Sequence, residues 1–198
     1  MTARTSHIML VLSAFLAGLV VFFVVFLFAT GQFRSGGPGG SAIGGPFRLV
    51  DQDGKAITDQ DMRGKPLLVF FGYTHCPDVC PATLFEISEV LRAMGNDADR
   101  VNALYITVDP ERDTPAVMKD YLSSFDPHLR GASGDAKAIE QVEQGYHVYA
   151  KKVPTGNGDY SMDHTALVYL MDKQGRFVAP FSLKRRPEDA AADLRKYL

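Results

Sequence analysis

Cysteine is scarce in this chain, and its two cysteines, Cys76 and Cys80, stand with only three residues between them. A structural disulfide stabilises mainly by closing a long loop, so a bridge this short would contribute little. Basic charge is not in excess either, because 21 lysines and arginines are set against 23 acidic residues. No run rich in lysine or arginine occurs, which argues against a nucleic-acid partner. The cysteine pair therefore points to chemistry.

Charge and proline are both absent from residues 8–29, a long apolar segment near the N-terminus. As a helix, its 22 residues would extend about 33 Å, enough to cross a hydrocarbon core of about 30 Å. A cleaved signal peptide is the alternative, but its apolar region normally has about 7–15 residues and ends at a small-x-small site. This segment is longer and ends on Leu27, Phe28 and Ala29 without such a site. We predict an uncleaved transmembrane anchor.

The remaining organisation follows from this anchor. Residues 1–7 are predicted to be a cytoplasmic tail, residues 30–45 a flexible glycine-rich linker, and residues 46–198 one globular domain. Arg4 and Arg34 flank the span almost evenly, and the free amino terminus tips the balance toward an N-inside orientation. We therefore expect a single-pass protein of the bacterial inner membrane with its domain on the periplasmic side.

Strand and helix patterns alternate along the domain. The domain is predicted to begin with a hairpin around Asp53-Gly54, followed by a buried strand (66–72), the cysteines and a helix with Pro81 in its first position. A strand (101–108), a helix capped by Thr114 and a third helix come next. A strand pair around Gly175 and a helix from Pro187 complete the domain. This order predicts an α/β thioredoxin-like fold, in which a central mixed sheet is flanked by helices. The cysteines then lie where a buried strand gives way to a helix, the usual place for a site in such sheets.

The cysteine motif, "FFGYTHCPDVCP" at residues 70–81, is suited to thiolate chemistry. The positive end of a helix favours thiolate, the form that attacks disulfides and binds metals. Two roles are compatible with the pair: exchange with a partner's disulfide, or binding of a soft ion such as Cu(I). Thiol oxidoreductases commonly have two intervening residues, whereas this motif has three, which leaves room for an ion between the sulfurs.

A copper ion held by two thiolates needs a third ligand, and the chain has five histidines. His164 is the best candidate, because it directly precedes an apolar strand and in a thioredoxin-like topology the loop there faces the cysteine helix. A Cys–Cys–His site suits copper as Cu(I) or Cu(II). Asp78 and Asp163 are candidates to orient the imidazole or tune the thiolates, and are equally compatible with solvated loop positions. The other histidines are interpreted as membrane-flanking, loop, packed or surface residues: His7, His75, His128 and His147.

Three segments of the domain resemble the Sco/SenC family of copper chaperones for cytochrome c oxidase assembly. They are "LVDQDGKAITDQDMRGKPLLVFFGYTHCPDVCPATL", "ITVDPERDTP" and "GYHVYAKKVPTGNGDYSMDHTALVYLMD", in the family's order. The resemblance implies a thioredoxin-like domain that binds one copper ion through Cys76, Cys80 and His164. It also implies a metallochaperone, not an enzyme in the ordinary sense, that helps to build the CuA centre of oxidase subunit II. Delivery of copper, reduction of the acceptor's cysteines, or both would fit, and another extracytoplasmic copper carrier is a further candidate partner.

Two other functions compete with this interpretation. A tethered thiol–disulfide oxidoreductase without a metal role would use the same cysteines as a redox disulfide, but such enzymes usually place a cis-proline where this chain has Asp163-His164-Thr165. A peroxidase of the peroxiredoxin type would need a threonine three residues before the reactive cysteine, where this chain has Pro77. In "VDPERDTP" we interpret Asp109 as the end of a core strand and Thr114 as a helix cap, both structural.

Overall fold

The computed structural model describes residues 15–23, 26, 43–156 and 158–198. Residues 15–23 are helical, but most of the predicted anchor at residues 8–29 lies outside the described residues, as do the predicted tail and residues 30–42 of the linker. Among the residues described, no helix combines the length and the apolar character that a membrane crossing requires.

Strands and helices alternate through the described part of the globular domain. The strands are β1 (Arg48–Asp51), β2 (Ala56–Thr58), β3 (Leu67–Gly72), β4 (Asn102–Thr107), β5 (Leu129–Ser133), β6 (Ala150–Gly156), β7 (Asp159–His164), β8 (Val168–Met171) and β9 (Phe177–Pro180). The α-helices are α1 (Val79–Met94), α2 (Pro115–Leu122), α3 (Ala136–Tyr146) and α4 (Pro187–Arg195), with 3₁₀ turns at Asp59–Met62 and Gly95–Arg100.

The main sheet is mixed, as predicted, and has the strand order β2-β1-β5-β4-β3-β8-β9. Strand β3 is an interior strand and is buried along its whole length; it pairs parallel with β4 and antiparallel with β8. Helix α1 packs against α4, and its predicted apolar residues are all buried: Leu84, Ile87, Leu91 and Met94. The carboxyl ends of β3 and β4 meet at one edge of the sheet, and the cysteine loop leaves β3 there.

The opposite edge of the sheet receives the N-terminal end of the domain. The Gly44 N–H donates to the Gly145 carbonyl at 2.7 Å, and Gly44 lies beside the Met171 methyl group and the turn at Gly175. Met171 pairs with Leu67, the first residue of β3, whereas the cysteine loop follows Gly72, the last.

Several local predictions are confirmed, and others need correction. Thr114 caps α2, and Gly54 and Gly175 adopt the positive φ angles of their turns. Pro81 is the third residue of α1 and not the first, although its missing N–H is still harmless because first-turn N–H groups have no partner inside a helix. Strands β5, β6 and β7 were not predicted, and β6 and β7 form a separate two-stranded sheet. His164 is therefore the last residue of a strand and not part of a loop.

Candidate metal centre

The cysteine loop folds back on itself between β3 and α1. The Cys76 N–H donates to the Tyr73 carbonyl at 3.2 Å, and the Cys80 N–H donates to the Cys76 sulfur at 3.4 Å. Cys80 is the second residue of α1 and fully buried, whereas Cys76 is only partly buried. The loop thus places one sulfur inside the domain and the other near its surface, with the Cys80 amide directed at the Cys76 sulfur.

The His164 imidazole lies directly on the buried sulfur. Its Nε2 is 3.4 Å from the Cys80 sulfur, and its Nδ1 is 3.2 Å from the Thr165 carbonyl oxygen. A carbonyl only accepts hydrogen bonds, so Nδ1 carries the proton and the Nε2 lone pair faces Cys80. The ring is held edge-on by Tyr73, with ring centroids 5.8 Å apart and planes at 89°. The imidazole is therefore presented in the tautomer that can bind a metal through Nε2.

The three side chains that the sequence singles out converge on one point. The Cys76 sulfur, the Cys80 sulfur and one ring nitrogen of His164 all lie within 4.8 Å of one another, and they form the only such group among the described residues. Small side-chain adjustments would bring these atoms to about 2.0–2.3 Å from a common centre, the bond lengths that zinc makes with the same donors. Two thiolates and one imidazole form a set suited to copper in either oxidation state.

Burial shifts the pKa values of the Cys80 thiol and the His164 imidazole. Desolvation raises the pKa of the Cys80 thiol, with the neighbouring Cys76 adding to the effect. This corrects the sequence-based expectation that the helix N-terminus would favour thiolate at both cysteines, because the cost of burying the Cys80 anion outweighs that attraction. Burial also lowers the pKa of His164, against the opposing effects of the Thr165 carbonyl and the Asp163 charge. A neutral imidazole is the form that coordinates metals.

Gly72 is a site residue that the sequence did not reveal. A Cβ atom at this position would lie 2.8 Å from the Cys80 sulfur and 2.9 Å from Cε2 of Tyr105, closer than real contacts allow. The last residue of β3 must therefore lack a side chain if Cys80 is to pack against the strand. The only sequence signal was a glycine at the end of an apolar strand, just before the motif.

The "VDPERDTP" segment fastens the cysteine loop, a role that the sequence interpretation did not include. The buried carboxylate of Asp113 accepts hydrogen bonds from the Thr74 N–H (2.9 Å), the Thr74 hydroxyl (2.6 Å) and the Thr107 hydroxyl (2.7 Å). Thr74 stands two residues before Cys76. Asp113 thus ties the start of the loop to the end of β4.

The two candidate supporting carboxylates do not hydrogen-bond to the three converging side chains. Asp78 is exposed at the N-cap of α1 and makes no capping bond with its side chain. Asp163 is also exposed and acts on His164 only through its charge. The imidazole is oriented instead by the Thr165 carbonyl, which no side-chain pattern could indicate. An effect of either carboxylate on the site stays a prediction.

The other described histidines lie apart from this group. His75 has a half-exposed side chain that contacts the Thr74 hydroxyl at 3.1 Å. His128 is placed between the carboxylates of Asp126 and Asp99, and hydrogen bonding to Asp126 raises its pKa. His147 is an exposed residue with positive φ at the end of α3, and His7 lies outside the described residues. None of these described histidines joins the candidate centre.

Comparison with known proteins yields one family. The SCO1/SenC family model matches residues 35–198. A SCO2-like protein of Rickettsia prowazekii is 38% identical over 143 residues, which cover 71% of this chain and 70% of that protein. A mitochondrial SCO1 homologue of Arabidopsis thaliana is 38% identical over 156 residues, 78% of this chain but only 46% of the longer plant protein.

A solved structure resembles the fold as well as the sequence. The structure of Bradyrhizobium japonicum ScoI with copper bound superimposes with a TM-score of 0.78 at 73% sequence identity. The match covers 79% of this chain and 99% of that one. At this identity the fold and the arrangement of the motifs are directly comparable, and that protein was solved with copper bound.

Proposed function

Because the chain belongs to the SCO1/SenC family, we propose that it is a copper metallochaperone that helps to assemble the CuA centre of cytochrome c oxidase subunit II. The observation that carries the proposal is the convergence of the Cys76, Cys80 and His164 ligand atoms within 4.8 Å. The copper-bound ScoI structure, at 73% identity, supports copper as the cargo.

Copper is the cargo, and Cys76, Cys80 and His164 are the groups that would hold it. Two thiolate sulfurs suit Cu(I), and the added imidazole nitrogen makes the set suitable for Cu(II) as well. The Cys80 thiol must lose its proton when copper binds, and burial has raised its pKa. Copper affinity therefore increases with pH, by about tenfold per pH unit for each proton displaced.

The same cysteines support both proposed steps at the acceptor. In delivery, the partly exposed Cys76 side is where acceptor thiolates replace the chaperone's ligands one at a time. In reduction, the two thiols pass two electrons and two protons to an acceptor disulfide, whose S–S bond breaks as a Cys76–Cys80 bond forms. Oxidation of the pair removes both thiolates, so it releases the cargo. Copper retained after complete oxidation would contradict this redox gating.

We place this activity at the periplasmic face of a bacterial inner membrane. The apolar residues 8–29 would anchor the chain, and the glycine-rich linker, up to its attachment at Gly44, would give the domain reach along the surface. A membrane-bound oxidase subunit is then an accessible acceptor, and an extracytoplasmic copper carrier is a suitable donor. A membrane-impermeant thiol reagent tests the topology: a cysteine introduced at Gly40 should be labelled in intact spheroplasts.

An anaerobic titration of the full-length chain in detergent tests the metal site. We expect one Cu(I) or Cu(II) ion per chain, loss of tight binding in Cys76→Ser and Cys80→Ser, and at least about tenfold weaker Cu(II) binding in His164→Ala. His128→Gln is the matched control. His128 directly precedes β5, at the end of the parallel strands that lies away from the cysteine loop, so this variant should bind copper as the wild type does. Unchanged affinity in His164→Ala would refute the three-ligand site.

The thiol–disulfide oxidoreductase without a metal role remains the second candidate. The contact between the Cys80 amide and the Cys76 sulfur favours it, because an amide directed at a sulfur also supports thiolate exchange. That function has no need of His164 as a ligand. The rate at which the metal-free protein reduces a disulfide-bonded peptide separates the two: a metal-independent reductase would be fully active without any measurable affinity for copper.

A further inference from the structure

The histidine of the candidate centre is carried by a hairpin that stands apart from the main sheet. Strands β6 and β7 pair only with each other, from Ala150↔His164 to Gly156↔Asp159. Every residue of β6 after Ala150 is exposed. An isolated two-stranded ribbon is only marginally stable in water. The position of His164 relative to the cysteines therefore depends on its short link to β8 and on side-chain contacts between this hairpin and the rest of the domain.

One face of β7 makes those contacts. Side chains alternate along a strand, so Tyr160, Met162 and His164 share a face, and all three are partly buried. At one end of this face His164 meets the Cys80 sulfur. Tyr160 lies four residues away, about 13 Å along the strand. A restraint on Tyr160 thus acts on the same face of the same strand as the candidate ligand.

Arg112 provides that restraint from the turn after β4. Its Nε donates to the buried Asp109 carboxylate at 2.5 Å, and its Nη1 donates to the Tyr160 carbonyl at 2.9 Å and to Asp159 at 3.2 Å. The guanidinium also covers the Tyr160 ring, 3.8 Å from its centroid. The Tyr160 hydroxyl donates to the other oxygen of Asp109 at 2.8 Å. Arg112, Asp109 and Tyr160 form a closed set of contacts, which we call the hairpin clamp.

The hairpin clamp is well placed to resist movement. The Asp109 side chain is fully buried and that of Arg112 is 18% exposed, so their ion pair is shielded from solvent. Breaking a buried, hydrogen-bonded ion pair on one side leaves an uncompensated charge, which is costly. The hydrogen bond to the Tyr160 carbonyl and the contact with the Tyr160 ring together restrain both the position and the orientation of β7. A lysine could not replace this arrangement, because its single ammonium cannot make the planar, stacked contacts.

We propose that Arg112 is a positioning residue for copper binding, which holds β7 through the hairpin clamp so that His164 stays over Cys76 and Cys80. The inference rests on the proposed copper function but assigns a residue that binds no metal itself. Weakening the clamp should leave the two-sulfur part of the site intact and remove the imidazole from the metal. The effect should therefore be larger for Cu(II), which needs the nitrogen ligand, than for Cu(I).

The test is a double-mutant cycle on the full-length chain in detergent, with Cu(II) affinity and the nitrogen coupling in the electron paramagnetic resonance spectrum as readouts. We expect Arg112→Gln to weaken Cu(II) binding by about tenfold and to reduce the nitrogen coupling. In a His164→Ala background the same change should cause no further loss. Lys119→Gln, which breaks the exposed Lys119–Asp53 ion pair, is the matched control and should behave as wild type.

Each outcome decides the inference. Equal losses in both backgrounds, or a weaker site with full nitrogen coupling, would mean that Arg112 acts only on general stability and would overturn it. If Arg112→Gln fails to fold, Tyr160→Phe takes its place, because it keeps the ring and removes only the hydrogen bond to Asp109. We expect a smaller loss of Cu(II) affinity and of nitrogen coupling in this variant, again absent in the His164→Ala background. If His164→Ala alone leaves Cu(II) binding unchanged, the three-ligand site itself has failed, and the positioning role falls with it.

Discussion

At the scale of single residues, the space around the Cys80 sulfur depends on a side chain that is missing. Gly72→Ala should destabilise the fold by about 1–3 kcal/mol, because the new methyl group would overlap the Cys80 sulfur and the Tyr105 ring. The displaced sulfur should also weaken copper binding. Thermal unfolding and copper titration of the full-length protein measure the two effects.

The control for this substitution is Gly145→Ala in α3. A Cβ there would meet the Gly44 carbonyl oxygen at 3.4 Å, close to an ordinary contact, and alanine is the better helix former. Both glycines receive the same methyl group, but only the one at Gly72 would overlap neighbouring atoms. Equal stability and copper affinity in the two variants would contradict the proposed role of Gly72.

A second residue-scale prediction concerns Glu143, a half-buried acid on α3. Burial, and then the neighbouring Glu140 charge, raise the pKa of Glu143 from 4.5 to about 7. The folded state holds this proton more tightly than the unfolded state does. The resulting stabilisation is complete below the unfolded pKa of 4.5 and is lost as the pH rises through about 7. Glu143→Gln should therefore melt above wild type near pH 8 and close to it near pH 4.5. The exposed Glu86→Gln should follow wild type throughout, and a pH-independent difference for Glu143→Gln would refute the assignment.

The sequence identified the three converging side chains but not their surroundings. Cys76 and Cys80 were recognisable from their spacing, and His164 from its place before an apolar strand. Gly72 and Arg112 escaped because their roles depend on close approaches between segments far apart in the chain. The charge state of Cys80 was mispredicted for the same reason, since burial is a tertiary property.

At the scale of elements, the turn between β4 and α2 links both halves of the site. It contributes Asp113 to the cysteine loop and Arg112 to the hairpin that carries His164. Thr114 caps α2 as predicted, whereas Asp109 lies two residues beyond the end of β4 and accepts hydrogen bonds from Arg112 and Tyr160. One short connection thus sets the relative position of the two sulfurs and the imidazole.

This arrangement predicts a specific effect of Asp113→Asn. The amide cannot accept all three hydrogen bonds that Asp113 now accepts, so we expect a loss of about 2–3 kcal/mol in unfolding free energy. The cysteine loop should also loosen, which hydrogen exchange at Thr74 would detect as faster exchange of its amide. Asp53→Asn, at an exposed carboxylate, is the control and should change little. An unchanged exchange rate at Thr74 would contradict the anchoring role.

Elements with an apolar signal were predictable, and those without one were not. Strand β3 is a continuous apolar run and α1 has a clear apolar face, so both were recognised. Strand β6 reads "AKKVPTG" and is almost entirely exposed, so nothing in its pattern distinguishes it from a loop. Hydrogen bonding to β7, and not burial, makes it a strand. The hairpin that presents His164 is thus among the elements that hydrophobic periodicity did not reveal.

At the scale of the whole molecule, copper should act as a clip between segments that are far apart in sequence. The proposed ligands come from the loop and helix after β3 and from the end of β7, so the ion joins residues 76 and 164 only in the folded state. A ligand specific to the folded state at 100 times its Kd adds about 2.7 kcal/mol of stability. We expect Cu(I) to raise the melting temperature of the wild-type chain, measured anaerobically by calorimetry.

The matched control is the Cys76→Ser, Cys80→Ser double variant, which should show no copper-dependent rise. His164→Ala should show a smaller rise than wild type, because Cu(I) would still be held by the two sulfurs. An equal rise in the double variant would place the stabilising copper elsewhere in the molecule.

The attachment of Gly44 at the far edge of the sheet has a mechanical consequence. The cysteine loop leaves β3 at its other end, about 17 Å away along the strand. Tension applied through the preceding residues would be borne by the Gly145 carbonyl and the β8–β9 turn. The contacts described for Gly44 do not include the cysteine loop, so we expect that loop to be spared when the preceding residues pull on the domain.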